Sequence, residues 1–319
     1  MKALILGGAG FIGLHLARRL RAEGGEVTIV DDFSRGRDDP ELAALGVPVL
    51  HADLTAAASY EGLPRGWDHV YMLAAVVGVR NVEKDPARVI RINTLALMNL
   101  LDWLSPAERL FFASTSEIYA GGVSHGLVPV PTPETVPVMV GNVTAPRSAY
   151  AISKLLGEAA VIHTARAKGV PYVIGRFHNI YGARMGADHV IPELLLRAIR
   201  QEDPFRVYGV DQSRAFCHVD DATEAMSALM TTDAAIGEIV NIGNDSTTNI
   251  GDLGKLVLRI ADFHATLENR PAPPGSVARR CPNLAKLHAL TGYEPSVSLE
   301  EGVRRTFEWY RTRWKAKWP

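Results

Sequence analysis

Tyr150 and Lys154 stand four positions apart in a stretch with helical periodicity, so a phenol and an ammonium share one helix face. A free phenol titrates near 10, too high for a base at neutral pH. A neighbouring cation favours the phenolate and lowers that value, which makes the pair a general base with its activator. Thr115 follows the apolar run 110–113 by two residues and brings a hydroxyl to the carboxyl end of a strand, where open α/β sheets bind ligands. By itself Tyr-x-x-x-Lys is common, and it reads first as a surface pair; its surroundings supply the weight.

Those surroundings begin at the amino end. Residues 3–6 are a continuous apolar run, as expected of a strand buried on both faces. Glycines follow at once, then Phe11, Ile12, Leu14, Leu16, Ala17 and Leu20 recur at helical spacing. Gly8, Gly10 and Gly13 fit G-x-G-x-x-G; Gly7, Gly10 and Gly13 fit G-x-x-G-x-x-G. A strand, a glycine turn and a helix start together present free N–H groups and a positive dipole end to a phosphate. The next strand, 27–30, ends in Asp31-Asp32. An acid there bonds an adenosine ribose and disfavours a 2′-phosphate, so a dinucleotide is the expected ligand. After a third strand, 47–51, Asp53-Leu54 offers an acid that either reaches an adenine amino group or caps a short helix at 55–63.

The elements that must hold these groups alternate. A strand at 67–73 leads to small residues Ala74-Ala75, and a long helix follows at 87–104, with Pro86 in its first turn and Asn93 among its apolar positions. Strand 110–113 runs into Ser114-Thr115-Ser116-Glu117-Ile118-Tyr119, the long segment 121–147 lacks periodicity, helix 148–168 carries Tyr150 and Lys154, and strand 172–175 follows. Such alternation predicts a doubly wound parallel α/β sheet, a Rossmann domain over 1–175. From 176 the rhythm breaks. Helices are expected at 191–200, 219–230, 250–263 and 299–314, and strands at 206–208 and 238–242, with a loop at 271–274. These form a smaller α/β substrate lobe over 176–319, its segments interleaved with the first domain. Residues 315–319, with Trp314 and Trp318, are expected to pack as a helix end rather than to bind a partner.

Composition bounds the rest. The chain has 319 residues, 47% hydrophobic and 22% charged, with a net charge of −1, which gives no electrostatic reason to expect nucleic acid or a membrane surface as partner. The longest apolar stretch, 70–79, is about half of what a bilayer span needs. The first strand opens the chain with no signal peptide, so a cytoplasmic location is the default. Two cysteines, Cys217 and Cys281, are too few for a disulfide framework or metal cluster, and no metal site is expected.

Taken in order, the glycine turn, Asp31-Asp32, Asp53-Leu54, Leu73-Ala74-Ala75, residues 114–119, Tyr150-x-x-x-Lys154 and Arg176-Phe177-His178-Asn179-Ile180-Tyr181-Gly182 resemble the extended short-chain dehydrogenase/reductase family. That resemblance covers nearly the whole chain. It implies NAD in the first domain, on Gly7, Gly10, Phe11, Ile12, Gly13, Asp31, Asp32, Asp53, Leu54, Leu73, Ala74, Ala75, Asn93, Tyr150 and Lys154. It implies a nucleoside-diphosphate sugar, a UDP-sugar first, in the second lobe. Thr115, Tyr150 and Lys154 resemble the catalytic triad, with Ser116 and Glu117 beside it. Asn179, Arg184, Val190, Arg214 and Arg280 resemble the substrate-binding set, and guanidinium forks suit phosphate oxygens. The family's reactions share oxidation at sugar carbon 4, with Tyr150 taking the hydroxyl proton; they diverge into decarboxylation, 4-epimerisation and dehydration. Dehydratases usually show Thr-Asp-Glu where this chain has Thr115-Ser116-Glu117. That triplet and Ala145-Pro146-Arg147 resemble UDP-glucuronate decarboxylases, although Ala285 stands where some of those carry a basic residue. A 4-epimerase is the alternative, and a binding-only sensor a more distant one. The resemblance also implies a homodimer through the helices 87–104 and 148–168.

Overall fold

The computed structural model describes residues 1–273 and 275–314. Pro274 of the expected loop and the tail 315–319, with the side chains of Trp314 and Trp318, lie outside the described residues.

Seven strands form one parallel sheet: β1 (Lys2–Leu6), β2 (Glu26–Asp31), β3 (Val49–His51), β4 (His69–Met72), β5 (Arg109–Thr115), β6 (Tyr172–Phe177) and β7 (Ile239–Ile242). Their spatial order is β7-β6-β5-β4-β1-β2-β3, so the winding reverses between β1 and β4. A crevice opens at such a reversal, outside the carboxyl ends of the strands. The apolar run in β1 explains why the sheet is covered twice. Ala3 and Ile5 face one core, with Leu14 and Leu20 of α1 (Phe11–Ala22); Leu4 and Leu6 face the other, with Leu97 and Leu100 of α2 (Pro86–Trp103) and Val161 of α3 (Ser148–Lys168). Side chains alternate along a strand, so adjacent apolar residues serve opposite layers. Each leucine, isoleucine or valine so buried contributes roughly 1.5–3 kcal/mol. Helix α2 starts where Asp85 accepts a hydrogen bond from the Arg88 N–H at 2.9 Å, with Pro86 next in its first turn.

A third core belongs to the other lobe. It joins α4 (Val190–Ile199), α6 (Ile250–Ile260) and α7 (Leu299–Trp314) through Leu194, Leu253 and Phe307. Short strands brace it: Phe205–Tyr208 pairs with Leu267–Arg270, and Ser213–Ala215 lies between Thr247–Asn249 and Arg279–Arg280. The chain passes back and forth between lobes. Helix α5 (Val219–Thr231) packs on the α1 face of the large sheet, and β7 pairs with β6, so residues beyond 175 complete that sheet.

The segment 121–147 is tied down rather than loose. A bridge joins Thr132 to Pro282, Thr132 N–H donates to the Cys281 carbonyl at 2.9 Å, and Asn241 Nδ2 donates to the Thr132 carbonyl at 2.9 Å. Cys217 and Cys281 are buried thiols. No helix among the described residues is long and apolar enough to cross a membrane, and no metal-ligating cluster occurs among them.

Candidate active site

The crevice between β1 and β4 is a cleft of about 460 Å³. Gly7, Gly10, Phe11, Ile12 and Gly13 form its floor. Gly7 has φ +84°, and a Cβ there would stand 2.6 Å from the Ala74 nitrogen; one on Gly13 would stand 2.4 Å from the Gly7 carbonyl. Only glycine lets the turn fold this tightly between β1, β4 and α1. Helix α1 starts at Gly10 with no side-chain cap and no acid in its first turn, so its N–H groups face the cleft.

At one end stand Asp31, Asp32, Asp53 and Leu54. Burial raises the Asp31 pKa, and hydrogen bonds from the Phe33 and Ala9 N–H groups, at 2.9 and 3.0 Å, work against it. Asp53 faces the cleft and also accepts from Thr55 N and Oγ1, both at 2.8 Å. The short helix is Ala58–Glu61, later than expected, and Ala57 rather than Asp53 precedes it. Leu73, Ala74 and Ala75 form the facing wall. Asn93 is not on that wall. It is buried behind it: Oδ1 accepts from Val76 N at 2.7 Å, and Nδ2 donates to Ser153 Oγ at 3.1 Å. It fixes the wall through Val76.

At the far end Tyr150 and Lys154 project from α3, one turn apart. The expected activation of the phenol by the ammonium is not what this structure shows. Burial pushes the Tyr150 phenol up and the Glu117 carboxylate pushes it further; a hydrogen bond with Thr115 and the charge of Arg35 oppose them. Lys154 is buried and donates to the Ala113 carbonyl at 2.7 Å. Burial lowers its pKa to about 8, against the pull of Glu158. NAD, when bound, supplies a hydride acceptor whose cationic ring favours the phenolate. The uncapped α1 terminus, the ribose-side acid and the glycine floor all fit that group.

A second constellation lies on the other side of Tyr150. Thr115 ends β5, and its Oγ1 accepts from Glu117 N at 3.2 Å, starting the turn Ser116–Tyr119 that buries Ser116 and leaves Glu117 half-buried. Arg280 Nη1 meets Glu117 Oε1 at 2.6 Å. Burial would raise the Glu117 pKa, but Arg280, Arg147 and Arg214 outweigh it and hold the carboxylate ionised. Burial and the like charge of Arg280 bring Arg214 down to about 10.

The remaining expected residues divide. Asn179, with φ +44°, donates through Nδ2 to the Ala215 carbonyl at 2.9 Å, so its amide anchors the strand that carries Arg214. Val190 begins α4 and packs against the third core. Arg184, expected among the substrate-binding residues, lines the same cleft as the glycine turn. Its buried guanidinium pairs with Asp39 and donates to the Ala9 and Arg37 carbonyls at 3.1 and 2.9 Å, stapling the loop after β2 to the glycine turn. Beneath the catalytic face, Arg176 pairs with Glu158 at 2.7 and 2.9 Å, and Glu158 also accepts from Ser114. Arg176 donates to Tyr119 at 2.7 Å, and Tyr119 and His178 both meet Asn241 Oδ1 at 3.0 Å. Sequence reading missed Glu158 and Arg35. Glu158 was visible in principle, four residues beyond Lys154 on the same helix face; Arg35 carried no spacing signal.

This chain belongs to the NAD dependent epimerase/dehydratase family, whose model matches residues 3–243. It is 33% identical, over 97% of its length and 98% of the relative's, to a UDP-N-acetyl-alpha-D-glucosaminuronate decarboxylase of Bacillus cytotoxicus. It is 30% identical to UDP-glucuronic acid decarboxylase 1 of Arabidopsis thaliana, over 98% of this chain and 70% of the relative. Among solved structures it resembles the Thermus thermophilus UDP-glucose 4-epimerase in complex with NAD, with a TM-score of 0.83 and 29% identity, over 98% of this chain and 99% of that one.

Proposed function

We propose that this chain is an NAD-dependent decarboxylase of a nucleoside-diphosphate uronate, with a UDP-sugar as the first candidate. The observation that carries the reading is Glu117: a carboxylate whose charge reaches the Tyr150 phenol, paired with Arg280 at 2.6 Å and held ionised by Arg147 and Arg214 as well. Three guanidinium groups suit a substrate that brings a diphosphate and a carboxylate together. Similarity to two uronate decarboxylases supports it.

Tyr150 takes the proton of the sugar 4-hydroxyl as a hydride leaves carbon 4, and Thr115 holds the same oxygen. The resulting 4-ketone stands β to the carboxylate on carbon 5. Breaking the bond from carbon 5 to the carboxylate releases CO₂ and leaves the electron pair in a C4–C5 enolate, whose oxygen faces the hydroxyls of Thr115 and Tyr150. A proton then returns to carbon 5 and a hydride to carbon 4, giving a pentose nucleotide with no net redox change. Incubation with UDP-glucuronate tests this by mass spectrometry and proton NMR: CO₂ and a UDP-pentose are expected. Retention of all six sugar carbons with carbon 4 inverted supports 4-epimerisation instead, the reading favoured by likeness to the Thermus epimerase.

The homodimer belongs to the same proposal. Ile90, Leu95 and Met98 on α2 and Leu156 on α3 are exposed apolar side chains on two packed helices. Light scattering at micromolar concentration gives twice the 34.6 kDa chain mass if these faces meet.

A further inference from the structure

The loop after β2 lines the ribose end of the cofactor cleft through Ser34, Gly36 and Arg37. It ends at Asp39, which caps the short helix Pro40–Ala43 by accepting from the Glu41 and Leu42 N–H groups, both at 3.1 Å. A polar surface loop seldom holds one position by itself, since its backbone is solvated and each ordered residue costs entropy. This one is held from the other lobe. Trp309, in the last turns of α7, donates its indole N–H to Glu41 Oε1 at 2.7 Å, and the Arg37 guanidinium stands 5.8 Å from the centre of the same ring. Arg313, one turn further along α7, pairs with Glu41 and lies 4.9 Å from the Trp309 ring. Glu41 is also 3.9 Å from Arg184, whose guanidinium joins Asp39 to the Ala9 carbonyl of the glycine turn. The buried Tyr310 hydroxyl donates to the Met185 carbonyl, tying the same turn of α7 to the residue after Arg184.

The end of α7 thus touches both the loop after β2 and the segment that carries Arg184, yet none of its described residues lines the cleft. We propose that Trp309 and Glu41 are positioning residues for the cofactor, through which the C-terminal helix holds the loop after β2 in the shape that the dinucleotide meets. A loop ordered before binding spares the ligand that ordering cost, so the contact at Glu41 raises NAD affinity without touching NAD. Glu41 suits the task because its side chain is only 18% exposed, and a carboxylate so placed makes a strong charge-assisted bond with the indole. The inference rests on the family's NAD dependence and not on which sugar reaction follows.

Calorimetric titration of cofactor-stripped protein with NAD and ADP-ribose tests it, alongside hydrogen exchange of the same proteins without ligand. The variants are Glu41→Ala, Glu41→Gln, Trp309→Phe and the double variant of Glu41→Ala with Trp309→Phe. Preorganisation lost at one side chain corresponds to roughly a two- to tenfold fall in affinity. Glu41→Ala is expected to weaken NAD and ADP-ribose alike by that factor, and to speed amide exchange in 33–41 while α1 and β6 exchange as in wild type. Glu41→Gln keeps an acceptor for the indole and falls between. Trp309→Phe keeps a ring but loses the N–H, so the double variant binds NAD no more weakly than Glu41→Ala alone. Unchanged NAD affinity in Glu41→Ala overturns the proposal. Weaker binding with faster exchange throughout α1 and β6 overturns it, because the protein as a whole has then loosened. Losses that add in the double variant overturn it too, by showing that the two residues act separately.

Discussion

The floor of the cofactor cleft is one contiguous run of backbone, Gly7 to Gly13, whereas the cluster around Glu117 gathers side chains from residues 117, 147, 214 and 280. In the first, the absence of side chains is what matters: an added Cβ on Gly7 or Gly13 collides with backbone that has nowhere to go. In the second, charge is what matters, and each member comes from a different segment. A site of the first kind changes little without losing its ligand. A site of the second kind is retuned by one substitution while the cofactor stays in place. That division accounts for a shared cofactor beside divergent sugar chemistry: the reactions differ where side chains, not backbone, make the site. Tyr150 stands between the two regions and feels Glu117 from one and Arg35 from the other.

The sharpest way to break this comparison is to remove the group the two regions share. Tyr150→Phe is expected to lower kcat by about 10²–10⁴-fold, the usual worth of a positioned acid–base group. Titrations of the same variant with NAD and with UDP-glucuronate should stay within a few-fold of wild type. If NAD affinity falls with turnover, the two regions are not separable in the way described.

Next in size is the scaffold beneath both. Glu158 holds Arg176 through two oxygens and pulls on Lys154. Glu158→Gln leaves a buried guanidinium facing a neutral amide, and breaking such a pair costs about 3–5 kcal/mol. A urea-unfolding midpoint unchanged from wild type would show that the network under the catalytic face carries no stability.

Lys154 yields a smaller effect with a definite sign. Its pKa is about 8 in the fold against 10.5 when exposed. Between those values the unfolded chain holds a proton that the native state has released. Stability therefore rises with pH across that window, and below it the native state carries the full penalty of a desolvated ammonium, roughly 3 kcal/mol. Lys154→Met removes this dependence. Unfolding free energies of cofactor-stripped protein from pH 7 to 10 should show wild type gaining on the variant as pH rises. Parallel curves would place Lys154 in contact with water.

How much of this was legible follows the same division. The glycine turn, Asp31 and the Tyr150–Lys154 pair were readable because each depends on local spacing, which fixes what a strand end or helix face presents. The sheet's first six strands were readable for the same reason, to within a few residues. Pairing of Ile239–Ile242 beside β6 was not, because strand adjacency is decided by packing of distant segments. Arg184 was assigned to the sugar; its staple to Asp39 and the Ala9 carbonyl depends on a positive-φ turn that spacing does not reveal. Asn93 sits on the correct helix, but its partner Val76 lies behind the cleft wall. The phenol's direction of shift escaped because burial and a carboxylate 33 positions away in the chain outweigh a neighbour one turn away.

The finest test acts on the cluster alone. Glu117 is neutralised by arginines, yet its charge still raises the Tyr150 phenol. Glu117→Gln removes that charge while keeping the shape, so the phenol shifts down and the rising limb of the pH–rate profile moves to lower pH. Arg280 loses its 2.6 Å partner and repels Arg214 without compensation, so kcat falls, by about ten- to a hundredfold for a substrate positioned by those arginines. NAD affinity stays put, because the cleft floor is backbone. Tyrosine ring ¹³C resonances, assigned by comparison with Tyr150→Phe, follow the phenol directly and need no turnover. A Tyr150 titration that moves up, or does not move, means that Glu117 reaches the phenol only through the structure around it. The side-chain region would then no longer tune the catalytic group independently of the cofactor cleft.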